Sequence, residues 1–313
     1  MTLDYSIRDN GTVAIYGLRA FDLTNTLICG QCFRWRRIRD CYHGVVRGRL
    51  LVAKWSDGVL EVSDHSLTRA GECCLLDVVI DYFQIEDDHA HRESVLRNLD
   101  PVVAEAIDYA PGIRILAQEP WECLISYVIS ARNFIPSIMS TIDRLSERFG
   151  RRVSSDDYEQ EYRIRWYGFP LPDSLASADI DDIEECGAAF RARYISRLAR
   201  AVASGEVDLF KIAQLPYEQA KEKLMTLYGV GPKIAECVLL SSMRKYEAFP
   251  IDIWISRVLR FIYLQKPRAS IEEMQSFAHS KFGSLAGFAE QYLYHWARTA
   301  KGEYLRMLDK VTK

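Results

Sequence analysis

The residues of this chain best suited to covalent chemistry are Lys233 and Asp252. Lys233 follows Tyr228-Gly229-Val230-Gly231-Pro232 and opens a run with Ile234, Cys237, Val238 and Ser241 on one helical face. Upstream, Pro216 can open a helix whose Ala220, Leu224 and Leu227 recur at i, i+4, i+7. Two helices joined by Gly-Val-Gly make a helix–hairpin–helix over 216–243. The glycines permit the sharp turn and expose backbone N–H groups. With the N-terminus of the second helix, those groups suit a DNA phosphate. The plain alternative is a structural helical hairpin.

On the first turn of the second helix Lys233 opposes the helix dipole, so a lowered pKa is expected. A neutral amine is a nucleophile, and lysine amines form Schiff bases with carbonyl-like carbons. Taken alone, a lysine at this place suits a phosphate contact better than a catalyst. Asp252 alters that balance. It closes a loop over 244–252 as Phe249-Pro250-Ile251-Asp252, ahead of a helical run over 253–262. An aspartate there can simply cap the helix. It can also accept the lysine proton, or stabilise the positive charge on a sugar that is losing its base.

Such a pair needs a scaffold, and the first third of the chain reads as β-rich. Residues 32–38 alternate, with Phe33 and Trp35 on one side and Arg34 and Arg36 on the other. Segments 42–46, 50–55 and 59–62 read as further strands. Ser56-Asp57-Gly58 has the chemistry of a hairpin turn. From about residue 76 the pattern turns helical. Helices are expected over 75–83, 87–99, 121–129 (with Pro120 at its first turn), 138–149, 174–178, 180–184 and 194–203.

A chain of 313 residues is long enough for two or three modest domains. Its 49% hydrophobic and 27% charged content is ordinary for a globular protein. No apolar run reaches membrane length and no secretory signal is visible, so a cytosolic or nucleoid location is expected, or a nuclear one in a eukaryote. The net charge of −3 neither advertises nucleic-acid binding nor excludes it, because the placement of charge decides. Arg34, Arg36, Arg37 and Arg39 form one basic cluster, and Arg191, Arg193, Arg197 and Arg200 another; acids over 86–88 and 179–185 offset them. Among eight cysteines, Cys29-Gly-Gln-Cys32 has metal-ligand spacing but no second such pair follows. Cys73 and Cys74 are adjacent, which is poor geometry for one tetrahedral ion. No cysteine follows Cys237, so no C-terminal iron–sulfur loop is expected.

Residues 224–252, read as Leu-x-x-Leu-x-Gly-Val-Gly-Pro-Lys-x-Ala and then x-Pro-x-Asp, resemble the helix–hairpin–helix glycosylases with their Gly/Pro-rich loop and aspartate. Within that superfamily the chain resembles the 8-oxoguanine DNA glycosylases over roughly residues 20–300. Separated motifs carry the likeness, in the family's order: Gly30-Gln31-Cys32-Phe33-Arg34-Trp35, Gln118-Glu119-Pro120-Trp121-Glu122-Cys123, Tyr167-Gly168-Phe169-Pro170, Phe190-Arg191-Ala192-Arg193-Tyr194 and Gly287-Phe288-Ala289-Glu290. The resemblance implies an α+β protein. A TBP-like antiparallel β-sheet domain with flanking helices would span 1–105, and a two-part helical glycosylase region 106–313.

The same resemblance implies roles. Lys233 would be the nucleophile that displaces the base and forms a Schiff base, with Asp252 assisting. The carbonyl of Gly30 would accept the N7–H that 8-oxoguanine has and guanine lacks. Cys237 and Tyr294 would sandwich the flipped base, and Phe190 would wedge the gap in the duplex. Gly229, Gly231 and the Ile234 backbone would hold phosphate, with a bound monovalent cation as a further candidate there. Asn133 lies beside the extruded site, in Arg132-Asn133-Phe134, where the family has a run of asparagines. Arg191 matches an arginine that reads the opposite base, whereas Ser137 replaces a second one. Trp254 replaces a phosphate-contacting histidine, so its indole N–H would serve instead. Glu290 stands where the family has a glutamine at the base's Watson–Crick edge; a carboxylate there can accept from N1–H and the exocyclic amine.

The implied activity is a bifunctional DNA glycosylase and AP lyase acting on oxidised guanine in duplex DNA, as a monomer without cofactor or catalytic metal. Two other readings compete. One is a monofunctional alkylated-base glycosylase of the same fold, which would need no hairpin lysine. The other is a non-catalytic DNA-binding module that uses the hairpin only to grip phosphates.

Overall fold

A computed structural model describes residues 3–67 and 74–311. Cys73 lies outside them. The described strands form one antiparallel sheet in the order β1-β2-β6-β5-β4-β3. They are β1 (Asp4–Ile7), β2 (Val13–Tyr16), β3 (Trp35–Ile38), β4 (Cys41–Val46), β5 (Arg49–Ser56) and β6 (Val59–Asp64). The Ser56-Asp57-Gly58 turn joins β5 to β6 with φ 54° at Asp57 and 76° at Gly58, the left-handed pair of a tight hairpin. Strands β1 and β2 escape the sequence reading, being four residues each with no clean alternation.

The expected strand over 32–38 is shorter than its alternation suggests. Only Trp35–Ile38 pair with β4, and Arg34 points inward at 4% exposure. Its guanidinium donates to Ser146 Oγ at 3.0 Å and to the Tyr167 carbonyl. The basic cluster at 34–39 is therefore not one cationic face. Arg34 ties the sheet domain to the helices, while Arg36 pairs with Asp143 and Arg39 with Glu161.

One face of the sheet buries Val13, Ile15, Leu51, Ala53, Leu60 and Val62 against helices Leu23–Ile28 and Leu75–Tyr82. The other face buries Val45, Leu50 and Val52 against Val153, Tyr158 and Trp166. The larger core lies among the helices and is built on Pro120–Ser130, Pro232–Ser242 and Ala286–Thr299. Leu96, Val103, Ala106 and Ile107 belong to this core, whereas Leu116 packs with the sheet. The chain thus enters the helical body before residue 105 and touches the sheet domain again after it. Among the described residues no helix is long and apolar enough to cross a membrane.

Candidate active site

The hairpin forms as its glycines require. Helix Tyr217–Met225 ends at Thr226, and Pro232–Ser242 begins after Gly231 with Pro232 in its first turn. Gly229 turns the chain at φ +83°, and a Cβ there would lie 2.7 Å from the ring of Tyr194. No side chain caps the second helix, so its first N–H groups stay open for an anion. Tyr194, Phe190 and Tyr228 cluster around the turn, and Arg197 stacks on Tyr228 at 4.4 Å.

Buried Glu236 links the two helices to the aspartate loop. It accepts from Tyr217 Oη at 2.7 Å and from the Phe249 N–H at 3.0 Å, and it pairs with Lys221 at 2.6 Å. The loop then delivers Asp252 to the start of Ile253–Arg257, where one carboxylate oxygen accepts from the N–H groups of Trp254 at 2.8 Å and Ile255 at 2.9 Å. The cap expected from sequence is present, and the second carboxylate oxygen is left for other work.

Lys233 and Asp252 open onto one cavity of about 920 Å³. Its wall includes Gly30, Cys237, Glu290 and Tyr294, along with Gly231, Ile234, Trp254 and Asn133. Residues from five distant stretches of chain thus meet in one place. Gly30 is brought there by Gln31. The buried Gln31 side chain donates to the Arg114 carbonyl at 2.7 Å and accepts from the Leu116 N–H at 2.9 Å. Gly30 itself has φ +100°, and a Cβ on it would sit 2.9 Å from Tyr294 Cε1.

The Lys233 amine lies 5.2 Å from the centre of the Tyr127 ring and 3.5 Å from Ser130 Oγ. Its titration corrects the sequence expectation. Burial pulls the ammonium down, but Cys237 and Asp252 outweigh it, and the group is held above the ordinary lysine value. Burial pushes the Cys237 thiol up to about 12, against the pull of the Lys233 ammonium beside it. The side chain lines the cavity together with Asp252 and Glu290. Burial also raises Asp252 despite its two N–H bonds, and raises Glu290 much further.

Three predicted positions lie off the cavity wall. Gly229 is in the hairpin turn behind it. Phe190 stands 49% exposed. Arg191, beside it, is buried: its guanidinium donates to the carbonyls of Ala131, Arg132 and Ala188 and stacks on Phe190 at 4.4 Å. In this conformation Arg191 braces the 131–132 loop rather than offering its donors to a base, while Arg193 and Arg197 are exposed. Trp254 holds its ring between Arg257 at 5.0 Å and Arg306 at 5.5 Å. Among the described residues no three His, Cys, Asp or Glu side chains gather as metal ligands.

Sequence reasoning missed Tyr127, Ser130 and Arg298, which all line the cavity. Tyr127 and Ser130 are spaced i, i+3 on a helix whose buried residues are mostly apolar, and that polar edge is the signal that was available. Arg298 carries no such signal. It donates to the Ile28 carbonyl at 2.9 Å and lies 5.4 Å from the Tyr294 ring, contacts that exist only after folding.

Residues 15–124 match the family model described as 8-oxoguanine DNA glycosylase, N-terminal domain. Residues 125–282 match that of the HhH-GPD superfamily base excision DNA repair proteins. The chain belongs to the HhH-GPD superfamily. A probable N-glycosylase/DNA lyase of Methanothermobacter thermautotrophicus is 31% identical over 236 residues, covering 69% of this chain and 71% of that one. The N-glycosylase/DNA lyase of Saccharomyces cerevisiae is 27% identical, covering 87% and 82%. Among solved structures, the 8-oxoguanine glycosylase/lyase of Clostridium acetobutylicum, in complex with double-stranded DNA containing cytosine opposite 8-oxoG, superposes with a TM-score of 0.88. It is 33% identical, covering 96% of this chain and all of that one. MBOgg1 with a low-affinity DNA ligand superposes equally well at 35% identity, with the same coverage. In this HhH-GPD protein the lysine, the hairpin and the aspartate therefore sit on the scaffold that the superfamily uses.

Proposed function

We propose that this HhH-GPD protein is a bifunctional DNA glycosylase and AP lyase that excises 8-oxoguanine from duplex DNA in base excision repair. The observation that carries the reading is the Lys233 amine on a cavity large enough to admit a purine nucleotide, shared with Asp252, Cys237 and Tyr294. The backbone N–H groups of Gly229, Gly231 and Ile234 and the exposed arginines 193 and 197 hold the DNA backbone, and Phe190 fills the space left when the nucleotide turns out. The extruded base enters between Cys237 and Tyr294, with the Gly30 carbonyl toward N7–H.

Because the resting amine is an ammonium, a proton has to leave before attack. Asp252, which lines the same cavity and is raised by burial, is the acceptor in this reading. The amine then forms a bond to C1′ as the bond from C1′ to the base breaks. The base leaves with the electron pair and takes up a proton. Opening of the sugar gives the Schiff base between Lys233 and C1′. Loss of a C2′ proton then expels the 3′ phosphate by β-elimination.

Borohydride reduction on a duplex bearing 8-oxoguanine tests the reading. A covalent adduct is expected with the wild-type protein and none with Lys233→Gln. Base release without an adduct would mean hydrolysis by water, as in a monofunctional glycosylase. Binding without release would leave only a DNA-binding module.

A further inference from the structure

Glu290 is 6% exposed, faces the cavity and makes no hydrogen bond or ion pair among the described residues. Every other acid at the site has company. Asp252 accepts two N–H bonds, and Glu236 is held by Tyr217, Lys221 and Phe249. The groups that act on Glu290 come from several elements: Asp252 from the loop before Ile253–Arg257, Lys233 and Glu236 from Pro232–Ser242, with Cys237, Tyr127, Cys29 and Tyr294 around them. Arg298 lines the same cavity but donates to the Ile28 carbonyl. Glu290 has no cation within ion-pair distance among the described residues, and a buried acid without a partner keeps its proton instead. Burial as the leading cause, then Asp252, drive Glu290 that way, and Lys233 opposes them.

We infer that Glu290 meets the flipped base as a neutral carboxylic acid, offering one donor and one acceptor to the base's N1–H and C6 carbonyl. This rests on the proposed function and deepens it. A carboxylate offers two acceptors and selects N1–H together with the exocyclic 2-amine. A neutral acid accepts from N1–H through its carbonyl and donates O–H to O6, so the 2-amine is not read. The substrate class then becomes 8-oxo, 6-keto purines with or without the 2-amino group, which includes 8-oxohypoxanthine.

Three measurements test this with the full chain. Single-turnover excision is compared on duplexes carrying 8-oxoguanine and 8-oxohypoxanthine; the wild-type rates are expected to agree within about threefold, since no hydrogen bond is lost. The ratio of Glu290→Gln to wild-type rates on one substrate is expected to rise as the pH becomes alkaline, by about tenfold or more. Only the wild-type acid can ionise against O6, and the substrate's own titration cancels. Infrared difference spectra of free wild-type protein against Glu290→Gln are expected to show a protonated carboxyl band at neutral pH. Efficient 8-oxoguanine excision with a loss of roughly tenfold or more on 8-oxohypoxanthine, or a rate ratio that stays flat with pH, overturns the inference and leaves the proposed function standing. Absence of 8-oxoguanine excision overturns the proposed function itself. The infrared band reads the proton without catalysis, and its absence overturns the inference in either case.

Discussion

Gly30→Ala probes the base slot through a single methyl group. The added Cβ would lie 2.9 Å from Tyr294 Cε1 and 3.3 Å from its hydroxyl. Carbon atoms prefer roughly 3.5–4.0 Å, so the ring has to retreat by about 0.6–1 Å. Its retreat is constrained by Arg298, which lies 5.4 Å from the ring centre and is tied to the Ile28 carbonyl. The φ of +100° adds strain of about 1–3 kcal/mol for an L side chain, which lowers the melting temperature by about 2–4 °C per kcal/mol. A displacement near 1 Å in a reacting geometry costs on the order of 100-fold in rate. Single-turnover excision of 8-oxoguanine is therefore expected to fall on that order. Strand cleavage at a preformed abasic site has no base to seat, and should fall far less. Melting curves and the two rates on one preparation make the comparison. Equal losses in both reactions, or undiminished excision, would refute the assignment of this slot to the base.

Three further outcomes follow from other parts of the structure. Phe190→Ala removes a half-exposed ring, so stability should change by no more than about 0.5 kcal/mol; base extrusion, read by 2-aminopurine fluorescence beside the lesion, should weaken, and an unchanged signal would remove the wedge. Gln31→Ala strips the Arg114 carbonyl and the Leu116 N–H of their buried partner and frees Gly30, so a stability loss of about 2–5 kcal/mol is expected in urea titrations, together with slower excision. His43 and His295 are both held down to about 4, burial being the leading cause. Their folded forms resist a proton that the unfolded chain takes up near pH 6.5, so their stabilisation is whole above that value and is lost as the pH falls toward 4, by up to about 3 kcal/mol each. Urea midpoints that hold steady through that window would contradict neutral, buried imidazoles.

Local chemistry made the hairpin, the hairpin turn of the sheet and the Asp252 cap legible in sequence. Gly229 and the Asp57-Gly58 pair adopt backbone angles that other residues resist, and an aspartate ahead of an apolar helical run bonds the N–H groups next to it. Those effects reach only a few residues along the chain. What Lys233, Glu290 and Arg191 do depends on groups far away in sequence. Lys233 looks like an amine depressed by its helix until Cys237 and Asp252 fold against it and hold the proton on. Glu290 looks like any carboxylate until the fold buries it without a partner on the cavity wall. Arg191 looks like a free cation in a basic stretch until the carbonyls of residues 131 and 132 take its donors. Residue type and spacing along the chain determined which groups could react. Three-dimensional packing decided which of them carry charge and which way they face, because desolvation and Coulomb interactions act through space and have no counterpart in the order of residues.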